Sequence, residues 1–207
     1  RMKKRPIKIL VDALNKIGAQ ISYNEKDGYP PLMIDQKISQ IEDSISIRGN
    51  ISSQYISSLL MIAPVLPNGL KIDVMPPFYS KPYVMMTLNL MKKFGIKYDL
   101  SEDSISINNQ EYKSGSYKVE SDWSAASYWY SFISINKKLK EIKLKGLREH
   151  SFQGDQVIKK IMTLFNVETL YDKDGIILRK KDFDCDYLEL DFKDCPDLAQ
   201  TVLVVAA

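Results

Sequence analysis

Apolar residues recur along this chain at two spacings, and the two spacings alternate. Helical spacing places Ile7, Leu10, Val11 and Leu14 together in IKILVDALNKIGAQISY. The same spacing holds for Val84, Leu88 and Met91 in YVMMTLNLMKKFGIKYDL, and for Ile158, Ile161, Met162 and Phe165 in QVIKKIMTLFNVETLY. Each run predicts an amphipathic helix with one core-facing stripe. Gly18, Gly95 and Asn166 follow, residues that accept the left-handed conformation closing a helix, and each leads into a short strand. They are 77 and 71 residues apart.

A second set interleaves with the first: SSQYISSLLMIAP, DWSAASYWYSFISI and DLAQTVLVVAA, starting at Ser52, Asp122 and Asp197, 70 and 75 residues apart. Each opens on a cap-type residue and is then apolar or small nearly all round, which predicts a fully buried helix. Between the helices, SISIRGN, GLKIDV, SISINNQEY, KEIKLKG and GIILRKK predict strands. The result is an α/β repeat of strands alternating with one exposed and one buried helix, too long for a solenoid module and too helical for a propeller. The chain starts at RMKKRP without an initial Met and stops at QTVLVVAA within a predicted helix, so the pattern predicts a piece of something longer.

Composition narrows the functions available. The 207 residues, 44% hydrophobic, can bury a core, and a net charge of +3 makes no electrostatic case for nucleic acid. The longest apolar stretch, around Ser57–Leu66, is too short and interrupted to span a bilayer, and no charged-then-apolar signal opens these residues. Cys185 and Cys195, without a CxxC or a neighbouring His, read as reduced thiols of a cytoplasmic protein, with a disulfide between them as the alternative.

There is no GxGxxG, Walker loop, GxSxG or HExxH, and His150 is the only histidine, which argues against a metal cluster or a Ser-His-Asp triad. What remains are helix N-termini, whose unpaired N–H groups suit an anion. Ser52 and Ser53 can add hydroxyl donors to a phosphate, and Gln54 can bridge two ligand groups; Ser52 as a simple helix cap is the alternative. Arg5, before Pro6, offers a planar fork for carboxylate or phosphate, or is a surface arginine. Ser80 opens a third helix in SKPY, and Asp122 and Asp197 open others, where capping alone would account for them.

At these residues the chain resembles the EPSP synthase (3-phosphoshikimate 1-carboxyvinyltransferase) family. RMKKRPIKILVDALNKIGA resembles the family's RP-containing helix, GYPPL its following turn, GNISSQYISSLLMIAP its Ser-Ser-Gln segment and SKPYVMMTLNLMKKFG its KPY helix. VESDWSAASYW is similar to the acidic crossover, SFQGD to the QGD turn and CPDLAQT to the Pro-Asp-x-Ala segment. Ser121 and Trp123 stand where the family commonly has Gly and a small residue.

The resemblance implies repeated βαβαββ units of the two-domain enolpyruvyl transferase fold, an inside-out α/β barrel, incomplete here. Residues 1–119 would belong to one globular domain and 120–207 to the second, with the crossover near 120–123. It implies transfer of the enolpyruvyl group of phosphoenolpyruvate to the 5-hydroxyl of shikimate-3-phosphate, by a cytoplasmic enzyme, monomeric at full length, with no cofactor, metal, nucleic acid or membrane partner. By position, Ser52, Ser53, Gln54, Ser80, Tyr83 and Asp197 would bind shikimate-3-phosphate, and Arg5 and Gln54 phosphoenolpyruvate. Asp197 would be the proton acceptor; as a helix-opening carboxylate it is expected to have a lowered pKa. The UDP-N-acetylglucosamine enolpyruvyl transferase shares the fold, but Ser-Ser-Gln with KPY argues against it. A non-catalytic ligand-binding or scaffold domain is the rival of another class. Most of the family's other cationic segments lie outside these 207 residues, so the chain alone is expected to be inactive.

Overall fold

The computed structural model of the chain describes residues 1–35, 37–181 and 188–207. The chain divides into two compact units, Arg1–Gly115 and Ser116–Ala207. Cys185 lies outside the described residues. Among them no helix is long and apolar enough to cross a membrane.

The first unit begins with a 3-10 turn, Met2–Lys4, then α1 (Lys8–Ile17), closed by Gly18 at φ 119°, and a hairpin of β1 (Ile21–Tyr23) and β2 (Leu32–Ile34). One complete βαβαββ unit follows: β3 (Ser44–Arg48), α2 (Ser53–Ile62), β4 (Leu70–Met75), α3 (Lys81–Lys93), β5 (Asp99–Leu100) and β6 (Ser104–Ile107). The sheet order is β3-β4-β6-β5. Period-2 alternation decides which face is buried: Ile45 and Ile47 of β3, Leu70, Ile72 and Val74 of β4, and Ile105 and Ile107 of β6 all point into one core. β3 and β4 pair in parallel, with Ile45 opposite Ile72 and Ile47 opposite Val74. A parallel pair needs a crossover, and α2 supplies it, burying Ile56, Leu59 and Leu60.

The second unit contains α4 (Trp123–Ile135), β7 (Glu141–Lys145), α5 (Ile158–Thr163), β8 (Val167–Asp172), β9 (Gly175–Lys180) and α6 (Pro196–Ala206). Its sheet, β7-β9-β8, is antiparallel throughout. Trp123, Tyr130 and Ile133 of α4 pack with Ile158 and Met162 of α5, Ile176 and Leu178 of β9, and Leu198 and Val202 of α6. The Lys180 ammonium donates to the Ser134 and Asn136 carbonyls at the C-terminal end of α4, at 2.7 and 3.2 Å, satisfying groups the helix leaves open. Asn166 takes φ 68° after α5, as Gly95 takes 85° after α3.

The expectation that the second set of helices would be fully buried is corrected. Tyr128, Trp129, Phe132 and Ile135 of α4, and Leu203 and Val204 of α6, are exposed. No described element covers that face, and a helix that is apolar all round buries only the sides on which something packs.

The segment entering α4 is held by one turn. Gln153 accepts a hydrogen bond from the Trp123 N–H at 2.8 Å and donates to the Ser121 carbonyl at 2.9 Å. Ser151 donates to Glu120 at 2.6 Å, and the Ser121 N–H donates to the Gly146 carbonyl at 2.9 Å. Both tryptophans of the chain lie in α4, so intrinsic fluorescence reports this unit. Replacing Gln153 with Ala strands the N–H of a fully buried tryptophan, which costs about 1–3 kcal/mol. Denaturant titration followed by tryptophan fluorescence should show that loss; an unchanged midpoint would remove this turn from the forces that set the helix start.

Candidate functional site

Both helices that follow the parallel strands begin at the same edge of the first unit's sheet. α2 leaves the carboxyl end of β3 and α3 leaves the carboxyl end of β4, the position where open α/β sheets bind ligands. The two turns are joined by backbone: the Gly49 N–H donates to the Met75 carbonyl at 2.8 Å, and the Tyr79 N–H to the Gly49 carbonyl at 3.0 Å. A Cβ at residue 49 would lie 2.8 Å from both the Phe78 Cα and the Pro77 oxygen, so glycine is what permits this approach. Further along, the Thr87 hydroxyl donates to that of Ser57 at 3.1 Å, holding α2 and α3 side by side.

Ser52 is the N-cap residue of α2 at φ −56° and ψ 120°, but its side chain makes no capping hydrogen bond. Its hydroxyl is therefore not spent on the helix. Ser52 and Gln54 are exposed and Ser53 half-buried. Ser80, N-cap of α3, stands in the left-handed region at φ 57°, again without a capping bond, and Pro82 lies in the first turn. A non-glycine residue there costs about 1–2 kcal/mol. Strain of this kind gathers where ligands are gripped. Tyr83, half-buried one turn into α3, donates its backbone N–H to Ser80 at 3.1 Å. Arg5 is exposed just after the first 3-10 turn, and the Tyr55 hydroxyl of α2 donates to the next carbonyl, Pro6, at 2.5 Å. The arginine's backbone is thus tied to the first turn of α2. Ser52, Ser53, Gln54, Ser80, Tyr83 and Arg5 all belong to the first unit.

Asp197 belongs to the second unit. α6 begins at Pro196 with Cys195 as its N-cap residue, so Asp197 lies in the first turn and is not the cap. Its expected lowered pKa is also corrected: burial of part of the carboxyl, then the carboxylates of Asp155 and Asp122, push it up. Asp122 is a true N-cap, accepting from the Ser124 and Ala125 N–H groups at 2.8 and 3.3 Å. Asp155, 1% exposed on the 3-10 turn Gly154–Val157, accepts a hydrogen bond from the Ser124 hydroxyl. Neither Ser124 nor Asp155 is marked by its sequence context as a partner in such a bond. QGD reads only as a turn, and nothing in its spacing marks a buried carboxylate beside another helix.

The Cys195 thiol is free and buried, and burial with the neighbouring carboxylates raises its pKa to about 11. It is a neutral packing residue at physiological pH. His150 is exposed. Among the described residues no group of three His, Cys, Asp or Glu could hold a metal ion.

The strands and helices form an α/β repeat protein whose first-unit helix ends suit an anion, and comparison with known proteins makes this specific. The model of the EPSP synthase (3-phosphoshikimate 1-carboxyvinyltransferase) family matches residues 1–207, and the chain belongs to that family. The 3-phosphoshikimate 1-carboxyvinyltransferase of Bacteroides fragilis strain ATCC 25285 is 44% identical over all of this chain and 50% of its own length. That of Buchnera aphidicola subsp. Baizongia pistaciae is 40% identical over all of this chain and 48% of its own. The chain spans about half the length of these curated relatives. Among solved structures, EPSP synthase from Acinetobacter baumannii superposes with a TM-score of 0.56 at 15% identity, covering 89% of this chain and 59% of that one. The enolpyruvyl transferase NikO from Streptomyces tendae gives 0.60 at 12% identity, covering 86% and 43%. These two likenesses bear on the fold, which is that of the enolpyruvyl transferases.

A raised carboxyl pKa has a defined sign in stability. The folded state then holds the Asp197 proton more tightly than the unfolded state, so the ionised carboxylate opposes folding above its folded pKa. Below the ordinary 3.8 it is neutral in both states and contributes nothing. Asp197→Asn should therefore be at least as stable as the parent at pH 7, with an advantage that shrinks as pH falls toward 3.8. Fluorescence-monitored denaturation across that range checks it, and a variant less stable at pH 7 would show that the helix end outweighs the neighbouring carboxylates.

Proposed function

We propose that these 207 residues form part of an enzyme that moves the enolpyruvyl group of phosphoenolpyruvate onto the 5-hydroxyl of shikimate-3-phosphate, releasing phosphate. The observation that carries this reading is the unspent hydroxyl of Ser52 at the mouth of α2, beside the turn that holds Ser80. A serine at an N-cap position normally accepts, at its side-chain oxygen, a hydrogen bond from an N–H of its own helix. Here the hydroxyls of Ser52, Ser53 and Ser80, with the N–H groups of the first turns, are open to a phosphate. Gln54 and Tyr83 would contact the sugar-like ring, and Arg5 and Gln54 the phosphoenolpyruvate. Asp197 would accept the proton that leaves the 5-hydroxyl as the new C–O bond forms. Its raised proton affinity suits a base better than the lowered one expected from the helix end alone.

On this reading the domain crossover lies near residues 120–123, the enzyme is cytoplasmic and monomeric, and it needs no metal or organic cofactor. The exposed apolar face of α4 and α6 would be covered by the part of the enzyme outside these residues. The 207-residue chain by itself would not turn over.

The test is phosphate release from the two substrates by the full-length protein carrying this chain. Ser53→Ala removes one hydrogen bond to a charged group, worth about 1.5–3 kcal/mol, and should weaken shikimate-3-phosphate binding roughly 10- to 150-fold. Asp197→Asn should bind substrate while turnover drops by roughly 10²–10⁴, the general-base contribution. Absence of phosphate release, or near-parental turnover in Asp197→Asn, would defeat the reading.

A further inference from the structure

Residues 1–6 are all exposed, so packing does not decide where the Arg5 side chain starts. The Lys3–Glu25 ion pair is exposed on both sides, and surface pairs of this kind hold little. What fixes the segment is a proline and two hydrogen bonds. Pro6 restricts the residue before it to extended backbone, and Arg5 has φ −95° and ψ 121°. The proline ring fixes its own φ, so few soft torsions separate the Arg5 Cα from the Pro6 carbonyl. That carbonyl accepts the Tyr55 hydroxyl at 2.5 Å, and the next N–H, that of Ile7, donates to the Gly28 carbonyl at 2.8 Å. Tyr55 is half-buried and directly follows Gln54. Its own N–H donates to the Ser52 carbonyl at 3.0 Å, closing the turn that carries Ser52, Ser53 and Gln54. One residue thus holds that turn through its backbone and the support of Arg5 through its hydroxyl.

We propose that Tyr55 is a positioning residue that sets the spacing between the two substrate sites, its backbone bonded to Ser52 and its hydroxyl to the carbonyl that follows Arg5. This rests on the reading of Arg5 as a phosphoenolpyruvate residue and of the Ser-Ser-Gln turn as part of the shikimate-3-phosphate site. Two substrates react fastest when their reacting atoms are held about 3–3.5 Å apart, and an arginine on an unanchored exposed segment would leave one of them loosely placed. Each soft torsion removed below the arginine also lowers the entropy lost when its long side chain grips an anion. The two bonds of Tyr55 can be separated. A phenylalanine at this position keeps the backbone bond to Ser52 and the ring, and loses only the bond to Pro6. Its effect therefore falls on one substrate and spares the other.

The experiment is phosphate release by the full-length protein carrying this chain, with each substrate varied in turn. Tyr55→Phe should raise the KM for phosphoenolpyruvate roughly 2- to 10-fold, the worth of one neutral hydrogen bond, and leave that for shikimate-3-phosphate within about 2-fold of the parent. Arg5→Ala should raise the phosphoenolpyruvate KM by roughly 10-fold or more. In the Arg5→Ala background Tyr55→Phe should add nothing, because the hydroxyl acts through the arginine. A residue that only supports the fold would lower the denaturation midpoint without raising one KM selectively. A parental phosphoenolpyruvate KM in Tyr55→Phe, or an equal rise in both KM values, overturns the proposal while Arg5→Ala still reports on the arginine. So does a Tyr55→Phe effect that persists in full without Arg5. A parental phosphoenolpyruvate KM in Arg5→Ala overturns the reading of Arg5, and the proposal falls with it.

Discussion

The parallel pairing of β3 with β4 is the constraint from which the phosphate-suited edge of the first unit follows. Two neighbouring strands that run the same way must each end at the same side of the sheet, so the helices that follow them must begin there. α2 and α3 then present their N–H-rich ends together, and the Ile and Val side chains that fix the register also fix where Ser52 and Ser80 stand. Gly49 lets the two turns close to backbone hydrogen-bonding distance. A single slip of register would move the isoleucines of β3 out of the core, so the chain has a strong reason to keep this arrangement.

The two units use helix ends in opposite ways. In the first, the ends of α2 and α3 carry hydroxyls and no acidic residue in the first turn, leaving positive potential for an anion. In the second, the ends of α4 and α6 carry Asp122 and Asp197, with Asp155 close by, and the negative charge is already supplied by the protein. On the proposed reading, one arrangement would bind phosphate and the other would handle protons. The same secondary-structure unit can serve both because the chemistry resides in the few residues of each first turn, not in the fold.

The sequence alone determined the repeat. Period 3.6 and period 2 are printed in the order of apolar residues, and Gly18, Gly95 and Asn166 mark the helix ends because few residues tolerate a left-handed backbone; all three adopt it. The alternation of strands and helices over residues 44–107 was legible for that reason, as was the Ser-Ser-Gln triplet at the mouth of α2, whereas the βαβαββ order was implied by the family resemblance.

Tertiary structure decided what depends on neighbours far along the chain. Whether Ser52 caps its helix or leaves its hydroxyl open is a matter of geometry that the residue type does not fix. Which faces of α4 and α6 are covered depends on what packs there, and Trp129 and Phe132 read as core residues until the exposed side is seen. The sign of the Asp197 shift reversed because the fold buries part of the carboxyl and brings near it Asp155 and Asp122, 42 and 75 positions away. A helix-end field acts locally and can be anticipated from sequence; repulsion between carboxylates depends on distance in space, which only the folded chain sets.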